Sequence, residues 1–432
     1  MEVSRSIKIE LDPNNKVRAL LYQHAGAKRF AWNWDLARRN DLYKTTSKYS
    51  NAQEANKLFV KLKKSPELHW WKDISARVHQ EAFRDLDRAF HNFFTRKNEG
   101  VGLPQFKSKH GSQDSFRLYG IFRVSPHSIQ LPILGTVRTK EPLNEKDKVT
   151  DSLVSKIKGK ITSVSISRTA DRWFASILFE QEIEEPKPIE GSEVCGIDLG
   201  IKTFATLSDG TEIHSPRPLK KALRKLKRTQ RNASKKKKGS NNRYKANKKV
   251  AKIHAKVANQ RKDFLHRITT KLAKTKPVIV IEDLKVKNLI RNHKLAGSIS
   301  DLGWGEFRRQ LTYKTEWYGS KLIIADAWFP SSQICSECGF RVGPLSLNIR
   351  TWECPNCHKV HNRDHNAAKN LAKYPECQGN WKNLILSKPV EIPPGAGSWD
   401  SVIRESLKQE VSSVKHKTYK ESDRKALCQP IG

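Results

Sequence analysis

Apolar and polar side chains alternate over residues 3–11, and the pattern then changes to a helical one. The alternation predicts a strand, and the turn residues at 12–15 predict a helix start. Apolar residues recur at helical spacing from Val17 to Leu36 and again from Ile74 to Phe93. Residues 13–98 are therefore predicted to form a helical unit.

The sequence pattern changes near residue 100, where short β-like runs are separated by Gly and Pro. Short strands punctuated in this way predict a small barrel or sandwich. The runs lie at 114–120, 128–134, 160–169 and 172–180. If the strand at 3–11 joins them, residues 1–12 and 99–185 form one β-barrel domain, and the helices are an insertion in it.

A second unit is predicted to follow an acidic linker at 181–192 that contains two prolines. Residues 193–200 predict a strand, 202–208 its hairpin partner, and Asp209-Gly210 the turn to a third strand at 211–215. The continuous apolar run at 278–281 is typical of a buried parallel strand. The final segment, 378–432, has no sustained period and is predicted to be largely disordered.

Three carboxylates interrupt or follow these apolar elements: Asp198 in the first strand, Glu282 directly after the buried run, and Asp364 at the start of a helix. An unpaired buried carboxylate is costly, so it neutralises or finds a cation. Carboxylates suit Mg²⁺ or Mn²⁺, and a pair of such ions can promote phosphodiester hydrolysis. We expect the three to converge, although each alone would more often be a hydrogen-bonded or ion-paired side chain. Other acids are interpreted as turn or capping residues: Asp209, Asp283 and Asp301.

Four of the seven cysteines form two close pairs in the pattern C-x₂-C-x₁₅-C-x₂-C. This spacing predicts a closed tetrahedral zinc site built from two knuckles, with the intervening stretch forming a hairpin. The ligands would be Cys335, Cys338, Cys354 and Cys357. His358 and His361 could substitute, but four cysteines suffice. The remaining cysteines are assigned to packing or chance: Cys195, Cys377 and Cys428.

The composition of the chain predicts a polyanionic partner. The chain has 432 residues and a formal net charge of +38, an excess that favours nucleic acid as the partner. No apolar run approaches the length of about 20 residues that a spanning helix needs, so no membrane role is expected. The N-terminus lacks the apolar core of a signal peptide, which predicts a cytoplasmic protein with reduced cysteines.

The positive charge is concentrated in residues 217–262, which hold 20 Lys or Arg and no Asp or Glu. Apolar residues at helical spacing predict two amphipathic helices whose apolar stripe docks on the sheet. The cationic face is expected to follow phosphates without reading bases. The candidate nucleic-acid-binding residues are Lys220, Lys221, Arg224, Lys227, Arg228, Arg231, Lys235, Lys236, Lys237, Lys238 and Arg243.

Three segments, "GIDLGIKTFATLSDG", "VIVIEDLKVKNL" and "NRDHNAAKNL", resemble in this order the motifs of a RuvC-type nuclease with an RNase H-like fold. With the intervening cysteines they are similar to the TnpB (OrfB) family of IS200/IS605-type transposon proteins, relatives of compact type V CRISPR effectors. The resemblance implies that Asp198, Glu282 and Asp364 are catalytic. Many members have Asp-Arg-Asp in the third motif, whereas this chain has Asn362-Arg363-Asp364. "LPQFKSK" at 103–109 also resembles a signature of the family.

The fold class implied is multidomain α+β: a small β-barrel with a helical insertion precedes an RNase H-like (RuvC) α/β nuclease domain with an inserted zinc ribbon. The nuclease domain would comprise 193–330 and 358–377, and the zinc ribbon 331–357.

The function implied is a Mg²⁺-dependent, RNA-guided DNA endonuclease of a prokaryote, with one chain per guide RNA. Pairing would read the target and the protein a short adjacent DNA motif. The alternatives are a guide-independent nuclease or resolvase, and a non-catalytic nucleic-acid-binding regulator of transposition.

Overall fold

The computed structural model describes residues 2–47, 49–96, 100–109, 114–146, 153–343, 345–346 and 348–376. Within them the chain forms two compact units, divided between Glu184 and Glu185. The segment 378–432 and the cysteines Cys377 and Cys428 lie outside the described residues, so their predictions are untested. No described helix is long and apolar enough to cross a membrane.

The helices of the first unit follow the apolar spacing of the sequence. Asn14 begins the first helix because its side chain accepts a hydrogen bond from the Val17 amide at 2.8 Å. The helical segments are α1 (Asn15–Thr46), α2 (Ala52–Leu62), a 3-10 helix (Pro66–Asp73) and α3 (Ala76–Thr95). The sequence predicts α1 and α3, whereas α2 and the 3-10 helix are additional.

The first unit also contains an antiparallel sheet of seven strands. The strands in chain order are β1 (Glu2–Asp12), β2 (Ser115–Leu118), β3 (Arg123–Ser125), β4 (Ser128–Leu131), β5 (Gly135–Thr139), β8 (Lys160–Thr169) and β9 (Arg172–Glu182); β6 (Asn144–Lys146) and β7 (Leu153–Ser155) pair separately. The sheet order is β2-β8-β9-β1-β5-β4-β3, and its edge strands β2 and β3 do not pair with each other in the described part of the chain. The strand at the N-terminus thus lies inside the sheet.

Helices and sheet of the first unit share one hydrophobic core. Leu21 and Phe83 of the helices belong to the same cluster as Ile9 and Ile177 of the sheet. The change of sequence pattern near residue 100 therefore marks the change from helices to strands and not a boundary between two hydrophobic cores.

The second unit is built on a five-stranded mixed sheet in the order β12-β11-β10-β13-β14. Its strands are β10 (Val194–Asp198), β11 (Ala205–Leu207), β12 (Glu212–Ile213), β13 (Val278–Glu282) and β14 (Lys321–Ala325). β10, β13 and β14 are parallel, and β11 and β12 continue antiparallel. This confirms the predicted hairpin and the parallel strand, whereas β14 is a strand that the sequence analysis missed.

Helices cover both faces of this sheet. They are α4 (Pro218–Ser234), α5 (Asn241–Thr275), α6 (Val286–Leu289), α7 (His293–Leu302), α8 (Trp304–Tyr318) and α9 (Arg363–Lys373). Leu265 of α5 and Phe307 of α8 pack with Ile281 on one face. Leu371 of α9 packs with Val280 on the other. Alternation along β13 therefore supplies an apolar side chain to each layer.

The prediction that the basic helices dock on the sheet holds for only part of their length. Leu265 and Leu272 of α5 belong to the core of the sheet, whereas the buried Leu226 and Val257 do not. A helix of 35 residues is about 50 Å long, and a five-residue strand is about 17 Å. The N-terminal part of α5 therefore outruns the sheet and packs against α4 as a helical hairpin.

Candidate active site and cysteine cluster

Asp198 and Glu282 are the last residues of adjacent parallel strands. β10 pairs with β13 up to Ile197 and Ile281, so the two carboxylates follow at the same edge of the sheet. The carboxyl ends of parallel strands are where open α/β sheets place their ligands. The local pattern therefore brings together two acids that are 84 positions apart in the sequence.

Asp364 reaches this edge on α9. The Asn362 side chain accepts hydrogen bonds from the amides of Asp364 and His365 at 3.0 and 3.1 Å and so caps the helix. α9 lies directly against β10, because a Cβ on Gly196 would stand 2.0 Å from the carbonyl oxygen of Ala368. Since Asn and Asp are equally good N-caps, the Asn in the third motif keeps this function.

The three carboxylates share one electrostatic environment. Burial raises the pKa of Asp198 well above its usual value, and the charges of Glu282 and Asp364 raise that pKa further, against the opposing effect of Arg363 and Arg350. Burial also raises the pKa of Glu282, which a hydrogen bond from Ser331 partly offsets. Such a cluster of partly buried like charges suits a divalent cation, which would relieve the repulsion.

The carboxylates are nevertheless spread more widely than the ligands of one ion. The four cysteines form the one cluster of His, Cys, Asp or Glu side chains in the described residues whose ligand atoms lie within 4.8 Å of one another. Glu282 and Asp364 each have another partner, because Ser331 Oγ donates to Glu282 at 2.6 Å and Arg350 Nη1 to Asp364 at 3.3 Å. The structure thus places the three carboxylates at one edge of the sheet, but their oxygens are not close enough together to surround a single ion.

The predicted zinc ligands do meet. Cys335 Sγ lies 3.7 Å from Cys357 Sγ, and Cys338 Sγ lies 3.6 Å from Cys354 Sγ. Four thiolates at about 2.3 Å from a zinc ion are about 3.8 Å from one another. The cluster therefore fits a tetrahedral metal site and is far too open for disulfides.

The hairpin prediction for this region is wrong in its location. β15 (Thr351–Glu353) and β16 (Val360–Asn362) pair across the second cysteine pair, and an isolated bridge between Ile334 and Arg341 flanks the first. Each knuckle thus has its own antiparallel support, because a C-x₂-C turn is itself a tight reversal. His361 lies beside the cluster, with Nε2 3.0 Å from Cys335 Sγ.

Sequence reasoning missed the side chains that connect the cysteine cluster to the acids. They are Ser331, in a short 3-10 helix (Ser331–Gln333), and two buried asparagines of α9, Asn366 and Asn370. A signal was present: two amide side chains spaced one helical turn apart on the buried face of a short helix are unusual, because Asn is a weak helix former.

The acids interpreted as structural have structural partners. Asp209 accepts a hydrogen bond from the Thr211 amide at 2.9 Å in the predicted turn. Asp283 is ion-paired with Lys285 and Arg308. Buried Asp301 accepts hydrogen bonds from the amides of Leu219 and Lys220 at 3.1 Å and so caps α4 from another helix.

The candidate nucleic-acid-binding residues lie along α4, the following loop and the start of α5. Nine of the eleven are exposed, whereas Lys227 and Arg243 are partly buried, and Arg243 donates to the Lys236 carbonyl at 3.1 Å. The hairpin therefore presents a cationic surface. The aromatic side chains of the first unit divide as expected between core positions such as Trp71 and exposed ones such as Trp70, Phe94 and Phe106.

Three family descriptions match parts of the chain and define its class. Residues 176–293 match the OrfB family of IS605, described as a probable transposase, and residues 304–371 match the Cas12f1-like TNB domain. Residues 1–48 match a helix-turn-helix domain of OrfB, although here they form one strand and the single helix α1. The class is that of transposon-encoded proteins.

Curated relatives extend the match over most of the chain. One from Streptomyces pristinaespiralis, named "Putative RNA-guided DNA endonuclease", is 37% identical over 86% of this chain and 89% of the relative. Another from Escherichia coli, named "Putative RNA-guided DNA endonuclease InsQ", is 33% identical over 86% and 92%. The chain belongs to the OrfB (TnpB) family of insertion-sequence proteins.

A solved structure entitled "Cryo-EM structure of the Cas12f1-sgRNA-target DNA complex" aligns with 86% of this chain and 99% of its own. The TM-score is 0.49 at 13% sequence identity, which is too low for any inference about this chain.

Proposed function

We propose that this protein is an RNA-guided DNA endonuclease that hydrolyses phosphodiester bonds at the edge of the sheet where Asp198, Glu282 and Asp364 lie. The observation that carries the proposal is that Asp198 and Glu282 end adjacent parallel strands at one edge of the sheet, where burial and the charges of Glu282 and Asp364 raise the pKa of Asp198. The names of the relatives at 37% and 33% identity supply the RNA-guided part.

The acids would hold divalent cations, Mg²⁺ or Mn²⁺. The chemistry that such ions would supply there is activation of water and stabilisation of the negative charge on the leaving oxygen. The chain itself supplies the orientation of the ligands: β10 and β13 fix Asp198 and Glu282, and the capped first turn of α9 fixes Asp364. Ser331 restrains Glu282 through its hydroxyl group.

The order of the five-stranded sheet supports an RNase H-like (RuvC) nuclease domain, with the four cysteines holding a structural zinc ion beside it. The antiparallel sheet of the first unit would be the β-barrel, with α1–α3 as the helical recognition insertion. The proposed domain limits remain those of the sequence analysis.

The cationic hairpin of α4 and α5 would bind the guide RNA or the target duplex through phosphates. Its exposed lysines and arginines suit backbone contacts, which position a nucleic acid but carry no sequence information. The target would be read by pairing with the guide. We place this activity in the cytoplasm of a prokaryote, with one chain per RNA.

The test uses the full chain purified with the RNA that accompanies it. Sequencing that RNA gives the guide, and linear DNA carrying its complement, preceded by randomised positions, is the substrate. We expect cleavage that requires Mg²⁺ and depends on the match to the guide. Glu282→Gln should abolish cleavage while RNA binding persists, and Asp283→Asn is the matched control, because the neighbouring Asp283 is ion-paired with Lys285 and Arg308.

Two results would replace this function. Cleavage that does not depend on the RNA would indicate a guide-independent nuclease. Binding of RNA and DNA without cleavage at any Mg²⁺ or Mn²⁺ concentration would indicate a non-catalytic regulator of transposition.

A further inference from the structure

Ser331 lies where the sheet, α9 and the cysteine cluster meet. Its side chain is buried, and its hydroxyl donates to Glu282 Oε1 at 2.6 Å. Its carbonyl accepts a hydrogen bond from Asn370 Nδ2 at 2.7 Å. One residue therefore contacts a carboxylate of the candidate active site with its side chain and α9 with its backbone.

The two asparagines of α9 attach that helix to the first cysteine knuckle. Asn366 Nδ2 and Asn370 Nδ2 both donate to the Ile334 carbonyl at 2.7 Å. The Ser336 amide donates to Asn366 Oδ1 at 2.8 Å. These bonds hold the backbone on either side of Cys335, a member of the cysteine cluster.

The same helix carries Asp364 in its first turn. Two buried asparagines cost helix propensity and must be hydrogen-bonded to be tolerated. Their amides are satisfied by the knuckle, so the knuckle helps to fix the position of α9 in addition to the packing of this helix on the sheet. Glu282 and Asp364 thus depend on the same small set of bonds, one through Ser331 and the other through α9.

We propose that Ser331 is a positioning residue for Glu282. Through Asn366 and Asn370, the cysteine knuckle also supports α9 and so fixes the position of Asp364 relative to Glu282. The inference rests on the proposed function, because it assigns a purpose to the orientation of two of its three acids. It gives the cysteine cluster a role inside the nuclease centre in addition to any contact with nucleic acid.

The first experiment measures Mn²⁺ binding by electron paramagnetic resonance on the full chain with its copurified RNA. Asp198→Ala serves as the blank for Mn²⁺ held elsewhere. Removing an outer partner of a metal ligand typically weakens metal binding about 10–100-fold, so we expect a loss of this size in Ser331→Ala. The concentration of Mn²⁺ that half-saturates cleavage should rise by the same factor, with the rate recovering at saturation.

Ser336→Ala is the matched control. Ser336 is buried in the same knuckle, and its hydroxyl has no hydrogen-bond partner in the described part of the chain. It should leave Mn²⁺ affinity unchanged. If Ser331→Ala binds Mn²⁺ as tightly as Ser336→Ala, Ser331 only packs, and the inference is overturned.

A double-mutant cycle tests the connection to α9. If Asn370 acts on Glu282 through Ser331, Asn370→Ser should weaken Mn²⁺ binding, and combining it with Ser331→Ala should add little. Full additivity would refute the connection, and the Ser331 comparison decides the inference even if the Asn370 variant does not fold.

The two proposals fail differently. If the wild-type chain binds no more Mn²⁺ than Asp198→Ala, the proposed metal-dependent function is wrong. If it binds more, and Ser331→Ala binds Mn²⁺ with the wild-type affinity, only the positioning role is wrong.

Discussion

Gly196→Ala should push α9, which carries Asp364, slightly away from β10, which carries Asp198. A Cβ at this position would lie 2.0 Å from the Ala368 carbonyl oxygen and 2.4 Å from the Ala372 amide nitrogen. Real Cβ contacts do not fall below about 3 Å in close-packed interiors, so α9 must withdraw from β10 by about 1 Å. Both colliding atoms are backbone, so no side-chain rotation relieves the clash.

The expected cost has a structural and a catalytic part. Overpacking of a core typically costs about 1–3 kcal/mol, and backbone against backbone belongs at the upper end. At about 2–4 °C per kcal/mol, the unit that contains the sheet should melt about 6–12 °C lower. A displacement of about 1 Å between catalytic groups can cost about 100-fold in rate, so cleavage should fall by that factor where the protein is still folded.

The assay is differential scanning calorimetry together with cleavage of the guide-matched duplex. Gly297→Ala is the control, because Gly297 is an exposed position of α7 and a Cβ there meets nothing within 4 Å. That control should gain up to about 1 kcal/mol from helix propensity. If Gly196→Ala melts and cleaves like the wild-type chain, the close contact of α9 with β10 is not what positions Asp364.

Three further predictions concern the charges. Asp198→Asn should stabilise the metal-free protein, and the gain should be larger at about pH 8 than at about pH 5. Because the pKa of Asp198 is raised in the folded protein, this carboxyl group contributes stability below its ordinary pKa. That contribution is lost as the pH rises through the raised pKa, and an asparagine at this position avoids the loss. Equal melting temperatures of variant and wild type at both pH values would contradict the raised pKa of Asp198. Replacing the exposed Lys235–Lys238 by alanine should reduce the slope of log affinity against log salt for the RNA by about 3, and an unchanged slope would show that this loop does not contact phosphate. Asp301→Ala should cost about 2–3 kcal/mol and speed hydrogen exchange at the Leu219 and Lys220 amides, whereas unchanged exchange would mean that α4 does not need this cap.

Local patterns in the sequence predict much of this protein. Alternation predicts β1, continuous hydrophobicity predicts β13, and the turn at Asp209 predicts the connection from β11 to β12, because each of these signals acts over a few residues. The spacing of the cysteines predicts the metal site for the same reason, since a C-x₂-C turn presents both thiols from one knuckle. The three acids stand out because a carboxylate inside an apolar run is costly and calls for a partner.

The tertiary structure decided what depends on contacts between distant segments. The strand β14 completes the sheet only through its pairing with β13. The length of α5 relative to the sheet, and not its amphipathic pattern, determines that its N-terminal part packs on α4. The sequence around Ser331 and Asn370 does not reveal that these residues join a cysteine knuckle to Glu282. A hydroxyl or amide group acquires such a role only from the partner that folding places within hydrogen-bond distance.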